Sequence, residues 1–248
     1  MKKVKVAFMG SRPLGARCLE YLSNQNNVDV VGVVTTKEEE TRWWANRGTV
    51  VNKAKELRIP IVDEPEFLKQ EIDVLLSVLS DNIISESLLS HPKLGCINCL
   101  HLAELPRYRG CNSIAHAIMN ARDDNYWIHG VSMIYMDSGI DTGPIITKRT
   151  CAIYENDTGL DLYLRIEEIA FKLFCEMLPK ILKSKKRLPS QKQGESKYYY
   201  KRNSLANKEV NLSWSEDKIY DFVRALQFPP HEPAYISAGG RKIYLSIK

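Results

Sequence analysis

Residues 3–35 read KVKVAFMGSRPLGARCLEYLSNQNNVDVVGVVT, and this stretch decides the fold class. Its first seven residues, 3–9, are mostly apolar and predict a buried strand, and residues 28–35 predict a second one. Between them, apolar residues at helical spacing follow a short loop, 10–15. A helix between two apolar strands is typical of a parallel sheet with helices on both faces. The loop lacks the glycine spacing of a dinucleotide site and the Lys-Ser/Thr pair of a P-loop, which argues against both.

The same alternation continues along the chain. Further strands are predicted at 59–62, 72–79, 95–100, 127–136 and 143–152, and helices at 49–57, 83–89, 114–121 and from 157 or 158 to 182. The interpretation is an α/β fold with a catalytic domain over residues 1–183, a basic and polar linker over 184–197 and a small C-terminal element over 198–248. In that element, Gly239 and Gly240 between two short apolar runs predict a β-hairpin.

Composition narrows the class of protein. No run of residues reaches the ~18 apolar residues of a membrane span, and the first apolar run is too short for a signal peptide, so we expect a cytoplasmic protein with six reduced cysteines. Cys96 and Cys99 form one C-x-x-C, but no second ligand pair follows at a zinc spacing, and no metal site is predicted. The net charge of +5 suits nucleic acid or small polyanions equally.

A group of polar residues lies where the predicted fold puts chemistry. Asn98 and His101 end a predicted strand, and such sheets bind ligands beyond the carboxyl ends of their strands. An imidazole transfers protons near neutral pH, an amide donates to a developing oxyanion, and a carboxylate orients an imidazole. Asp137 and Asp141 belong to a glycine-rich turn further along. From the residues alone, a catalytic site and an ordinary histidine beside a capped turn both remain open.

These residues carry a resemblance to a known family. The order Asn, His, Leu-Pro, Tyr-Arg-Gly and Gly-Ile-Asp-Thr-Gly, over residues 98–143, resembles the folate-dependent formyltransferases, and the likeness extends over 3–183. Five segments are most similar to the branch that formylates nucleotide-linked sugars: HLA, YRGCNS, IDTGPII, KYYY and the later Phe-Pro-Pro.

The resemblance implies a Rossmann-like domain that uses 10-formyltetrahydrofolate as formyl donor, without a metal, and the amine of a nucleotide-linked, typically dTDP-linked, sugar as acceptor. It also implies a homodimer, no nucleic-acid or membrane partner, and a role in O-antigen, lipopolysaccharide or other surface-polysaccharide synthesis. Carried onto this sequence, the catalytic residues are Asn98, His101 and Asp141. Folate binding is assigned to Ser80, Asp81, Ile83, Arg109 and Asp137. Sugar-nucleotide binding is assigned to Trp44, Lys197, Tyr198, Tyr200 and Arg202.

The chain departs from the family in one spacing. The family has one residue between its Asn and its His, whereas Cys99 and Leu100 both intervene here. A β-bulge in this strand would return Asn98 to the site. Two alternatives stay open. A methionyl-tRNA formyltransferase would be expected to have a larger RNA-binding region than the 51-residue tail. A catalytically silent nucleotide-binding module would account for the extra residue, but it would need neither His101 nor Asp141.

Overall fold

A computed structural model describes residues 3–36 and 45–247 of the chain. Its elements, in chain order, are β1 (Val4–Gly10), α1 (Arg12–Ser23), β2 (Val28–Val34), α2 (Val50–Glu56), α3 (Glu64–Phe67), β3 (Val74–Val78), α4 (Glu86–Ser90), β4 (Cys96–His101), β5 (Tyr108–Gly110), α5 (Ser113–Ala121), β6 (Ile128–Tyr135), β7 (Ile145–Ala152), α6 (Gly159–Lys183), β8 (Tyr198–Tyr200), α7 (Glu216–Leu226), β9 (Tyr235–Ala238) and β10 (Arg241–Tyr244). Short 3₁₀ helices occupy Ala45–Arg47 and Arg202–Leu205.

The main sheet has six strands in the order β2-β1-β3-β4-β6-β7. Strands β2, β1, β3 and β4 pair in parallel, and β6 runs antiparallel to β4. The apolar runs fit this parallel pairing, because a strand in a sheet with helices on both sides is buried on both faces. The last five residues of β1 and all of β3 are buried accordingly. The predicted α/β fold with a mostly parallel sheet is therefore confirmed.

The strand predicted at 59–62 forms only a single bridge, between Val33 and Ile61. Pro60 lacks the N–H that a longer ladder would need, so its carbonyl oxygen alone accepts from Val33 N. The long helix predicted up to residue 182 is present as α6. No helix among the described residues has the length and apolar composition to cross a membrane.

The chain divides into two compact units. The first contains the described residues of Met1–His101, Ser132–Lys148 and Ala170–Gln193. Its core includes side chains from β1, β2, β3 and β4, among them Met9, Val34, Leu75 and Cys96. Cys96 and Cys99 are free thiols, and burial raises the pKa of Cys96 to about 12 and that of Cys99 further, which makes both poor nucleophiles.

The second unit contains the described residues of Leu102–Val131, Arg149–Ile169 and Gly194–Lys248. Strands β5 and β8 pair in parallel, and β9 and β10 form the predicted hairpin. Gly239 and Gly240 both have positive φ, +56° and +73°, which is the backbone that a two-residue hairpin turn requires. Helix α7 and strands β5 and β8 were not predicted. These two units are not bounded at residues 183 and 197, where the sequence predicted the ends of the catalytic domain and of the linker. That division by sequence stays a prediction.

Candidate active site

Strand β4 carries a bulge between Asn98 and His101. Asn98 pairs with Ile134 of β6, but His101 pairs with Ser132, so β4 advances three residues while β6 advances two. In a regular strand, residues three apart point to opposite faces of the sheet. One extra residue cancels that alternation, so Asn98 and His101 are expected on the same side. Both are partly exposed while the other four residues of β4 are buried, which agrees with this arrangement. The bulge predicted from the spacing is present.

The bulge also orients the amide of Asn98. The N–H of Leu100, which the bulge removes from the β4–β6 pairing, donates to Asn98 Oδ1 at 3.3 Å. With the oxygen engaged, the amide nitrogen remains as a donor, and within the described part of the chain it makes no hydrogen bond. Asn98 therefore presents an N–H donor. Cys99, the next residue of the bulge, is fully buried and contacts the carbonyl of Ile97 through its sulfur.

His101 and Asp141 form a close pair. Asp141 Oδ1 lies 3.3 Å from His101 Nδ1, and the two side chains are only 15% and 12% exposed. A carboxylate at Nδ1 favours the tautomer with its proton on that nitrogen. The other ring nitrogen, Nε2, then carries a lone pair that can accept a proton. The pair is thus a base with an orienting anion.

The turn that carries Asp141 is held by its own side chains. Asp137 Oδ1 accepts from the N–H of Gly139 at 3.1 Å and from the hydroxyl of Thr142 at 2.7 Å. At Gly143 a Cβ atom would overlap the carbonyl oxygen of Tyr135, so only glycine fits this close approach. Asp137, assigned to folate binding by resemblance, is seen here bracing the turn.

The loop after β3 contains the other folate-binding candidates of the first unit. Ser80 Oγ accepts from the N–H of Asn82 at 3.2 Å, which shapes the loop, and Asp81 is exposed. Ile83 is 93% exposed, an unusual state for a large apolar side chain. The loop therefore offers an apolar surface and polar groups at the carboxyl end of a central strand.

The remaining candidates lie in the second unit or outside the described residues. Lys197 Nζ and Tyr198 Oη both bind the carboxylate of Asp124, at 2.6 Å and 2.8 Å, so their polar groups are engaged within the unit. Arg109 donates to the carbonyl of Gly194 at 2.9 Å. Arg202 is exposed. Trp44 lies outside the described residues.

Tyr200 packs against His116, a buried histidine. Its ring stacks on His116 at 3.4 Å between centroids, and its hydroxyl accepts from Asn120 at 3.0 Å. Burial lowers the pKa of His116 to about 4, so this imidazole is neutral near pH 7 and serves as an aromatic surface. Sequence reasoning missed Asp124, which binds both Lys197 and Tyr198, because these two partners lie more than seventy residues away and nothing local marks the carboxylate.

Across residues 3–36 and 45–247, no three His, Cys, Asp or Glu side chains are grouped so as to hold a metal ion. The site consists of an amide donor, an imidazole and a carboxylate. Such a set suits acyl or formyl transfer to a nucleophile that must lose a proton.

Comparison with known proteins agrees with this chemistry. The family model described as "Formyl transferase" matches residues 2–178. A methionyl-tRNA formyltransferase of Halothermothrix orenii is 32% identical over 251 residues, which cover 96% of this chain and 76% of that protein.

Two solved structures share the fold over nearly the whole chain. A 4-N formyltransferase from Francisella tularensis has a TM-score of 0.83 and 18% identity, and the match covers 99% of this chain and 97% of the other. The N-formyltransferase of Helicobacter canadensis, in complex with folinic acid and dTDP-3-aminofucose, has a TM-score of 0.79 and 24% identity, with coverage of 97% and 86%. At these identities the likeness is one of fold. The family model matches residues 2–178, and this match shows that the chain belongs to the formyl transferase family.

Proposed function

We propose that this chain transfers the formyl group of 10-formyltetrahydrofolate to the amine of a nucleotide-linked amino sugar, with Asn98, His101 and Asp141 as catalytic residues. The observation that carries the proposal is the 3.3 Å contact between His101 Nδ1, on β4, and Asp141 Oδ1, in the turn after β6. The bulge in β4 is expected to turn Asn98 to the same side as His101. Family membership supports formyl transfer as the reaction.

The residues present fit a folate-borne formyl group. Asn98 offers an amide N–H because its oxygen is taken by Leu100, and an N–H is the donor that a carbonyl oxygen needs. Ile83, exposed in the loop after β3, suits the flat apolar face of a pterin ring. When bound, 10-formyltetrahydrofolate supplies the one-carbon group at the oxidation level of a formamide. Ser80, Asp81, Arg109 and Asp137 remain candidates to hold it.

The mechanism assigns one task to each catalytic residue. His101 Nε2 accepts a proton from the attacking sugar nitrogen, as a general base. Asn98 donates a hydrogen bond to the formyl oxygen as negative charge develops there. Asp141 holds the imidazole by its Nδ1 and stabilises the imidazolium that forms. The proton on His101 is then available for the leaving nitrogen, which returns the imidazole to its starting state.

A nucleotide-linked sugar is the proposed acceptor because of the solved structures. The Helicobacter canadensis enzyme was determined with a dTDP-linked aminofucose, and its fold matches 97% of this chain. We extend the dTDP sugar to this chain as part of the proposal, with Trp44, Lys197, Tyr198, Tyr200 and Arg202 as candidates to bind it. A cytoplasmic homodimer that serves surface-polysaccharide or O-antigen synthesis completes the proposal, and the family resemblance supports it.

Methionyl-tRNA is the second candidate acceptor. The observation in its favour is the 32% identity to a methionyl-tRNA formyltransferase across 96% of this chain. A fold can serve several acceptors, so the likeness of folds does not choose between them.

A panel of acceptors separates these functions. Purified protein and 10-formyltetrahydrofolate are incubated with dTDP- and UDP-linked amino sugars and, separately, with methionine-charged initiator tRNA, and both tetrahydrofolate release and product mass are followed. We expect turnover with one sugar and none with the tRNA. Transfer to the tRNA alone would replace the proposed acceptor with the second candidate. Nucleotide binding without any transfer would favour the silent module.

Replacing Asn98 with alanine tests the role of the bulge. We expect kcat to fall by about 10²- to 10³-fold, the usual effect of removing one oxyanion donor, while KM for both substrates changes little. The reason is that the amide is expected to strengthen its hydrogen bond only as charge develops on the formyl oxygen. Steady-state kinetics with the acceptor found in the panel measure this effect.

Cys99→Ala is the matched control for this variant. Cys99 belongs to the same bulge but its side chain is buried, so the substitution should cost about 1 kcal/mol of stability and leave kcat near the wild-type value. If Asn98→Ala retained most of the activity and Cys99→Ala lost it, the donor would have been assigned to the wrong residue.

A further inference from the structure

The segment that follows α6 is bound to the sheet beside the active-site turn. The N–H of Leu188 donates to the Tyr135 hydroxyl at 2.6 Å, and Gln191 exchanges two backbone hydrogen bonds of 2.8 Å with Ile145. Tyr135 ends β6 and Ile145 begins β7, so these bonds lie on both sides of the turn that carries Asp141. Residues 188–193, within the predicted linker, therefore form part of the structure around the active site.

Gln193 brings this segment onto the turn itself. Its side-chain Nε2 donates to the carbonyl oxygen of Asp141 at 2.9 Å and to that of Gly143 at 2.6 Å. A primary amide has two N–H donors, so one side chain can engage both carbonyls at once. The backbone on either side of Thr142 is thereby tied to a single group.

The backbone of Asp141 needs such support. Its φ is +55°, in the left-handed region that residues with a Cβ disfavour, and a residue keeps such a conformation only when its surroundings impose it. The bonds that Asp137 makes within the turn end on Gly139 and Thr142, and none of them reaches a carbonyl of Asp141 or Gly143. Gln193 donates to these two carbonyls, which Asp137 does not reach.

We propose that Gln193 is a positioning residue, which holds the Asp141 carboxylate against His101 Nδ1 through the backbone of the turn. This inference deepens the proposed function and rests on the roles given there to His101 and Asp141. Gln193 contacts the backbone of Asp141, and its effect on the reaction passes entirely through the 3.3 Å contact between Asp141 and His101. Small displacements of an orienting group are costly, because the base must be aligned when the proton moves.

Gln193→Leu removes both donors at nearly constant volume. We expect kcat to fall by about 10- to 100-fold, with KM for donor and acceptor within a factor of about two of wild type. Gln191→Leu is the matched control, since the same change is made two residues earlier on an exposed side chain that makes no hydrogen bond within the described residues. Wild-type kcat in that variant is expected because the backbone bonds to Ile145 do not involve the side chain.

A double-mutant cycle distinguishes positioning from general destabilisation. If Gln193 acts through Asp141, Gln193→Leu should reduce kcat by less than about twofold once Asp141 is already asparagine. An equal reduction in both backgrounds, or an equal reduction in Gln191→Leu, would overturn the proposal. Gln193→Glu is the second variant, should Gln193→Leu fold poorly, because it keeps the shape and replaces the donors with oxygens that the two carbonyls repel.

A measurement without substrate separates this inference from the proposed acceptor. The ¹⁵N chemical shifts of the His101 ring, assigned with His101→Asn, report which ring nitrogen carries the proton. Wild-type protein should show the Nδ1–H tautomer, and Gln193→Leu should show a mixture of both tautomers. An unchanged ring spectrum in a folded Gln193→Leu would overturn the positioning role. If no acceptor in the panel were turned over, the proposed function would fail while this test still stood.

Discussion

Replacing His101 with asparagine is expected to reduce kcat by about 10²- to 10⁴-fold, the range that a positioned general base contributes. The neutral sugar amine gains positive charge as its nitrogen bonds to the formyl carbon and must then lose a proton, and His101 Nε2 is the proposed acceptor within the Asn98–His101–Asp141 group. Asparagine keeps a polar group toward Asp141 and so spares the turn, but it has no lone pair of comparable basicity. The loss should therefore appear in kcat with little change in KM.

The measurement for His101→Asn is steady-state kinetics beside circular dichroism and a thermal melt. His91→Asn serves as the matched control, because His91 follows α4 and bonds the carbonyl of Gln70 at 2.7 Å, away from the residues assigned to catalysis. It should keep near wild-type kcat. A His101→Asn protein that is folded and retains most of its activity would remove His101 from the mechanism and move the role of base elsewhere.

Local patterns explain why so much of the fold was predictable. Strands β1, β2, β3 and β4 are mostly apolar runs, largely buried in β1, β3 and β4, and each run is visible without knowledge of its partners. Strands β5 and β8 have three residues each, and they pair across about ninety positions of sequence, Tyr108 with Tyr198. Segments this short have no periodicity of their own, so their pairing exists only in the folded molecule.

The same distinction applies to the active site. Asn98 and His101 were found because they end a predicted strand, and the bulge followed from counting one residue too many between them. Gln193 was not found, because its partners are backbone carbonyls 52 and 50 residues away and any residue type can supply a carbonyl. A side chain that binds backbone in this way has no sequence-specific partner to reveal it. Its segment was predicted as a linker from a polar composition that is also suited to bonding a turn.

Replacing Asp141 with asparagine should reduce kcat by about 10²- to 10⁴-fold, an expectation taken from the loss measured when the orienting aspartate of a serine protease is replaced in this way. The substitution isolates the charge. Asparagine has the same shape and tolerates the left-handed backbone, φ +55°, that Asp141 adopts, so the turn and its bonds to Gln193 should remain. What changes is the group 3.3 Å from His101 Nδ1.

Two effects of that change act in the same direction. The imidazolium formed when His101 accepts a proton loses its counter-ion, and an amide N–H facing Nδ1 favours the tautomer with the proton on Nε2, which cannot act as a base. Asp29→Asn, on an exposed position of β2, is the matched control and should keep wild-type kcat. The ¹⁵N spectrum of His101 tests the cause directly: a lost rate with the Nδ1–H tautomer intact would leave only the counter-ion effect. Wild-type kcat in Asp141→Asn would show that the 3.3 Å contact has no part in catalysis.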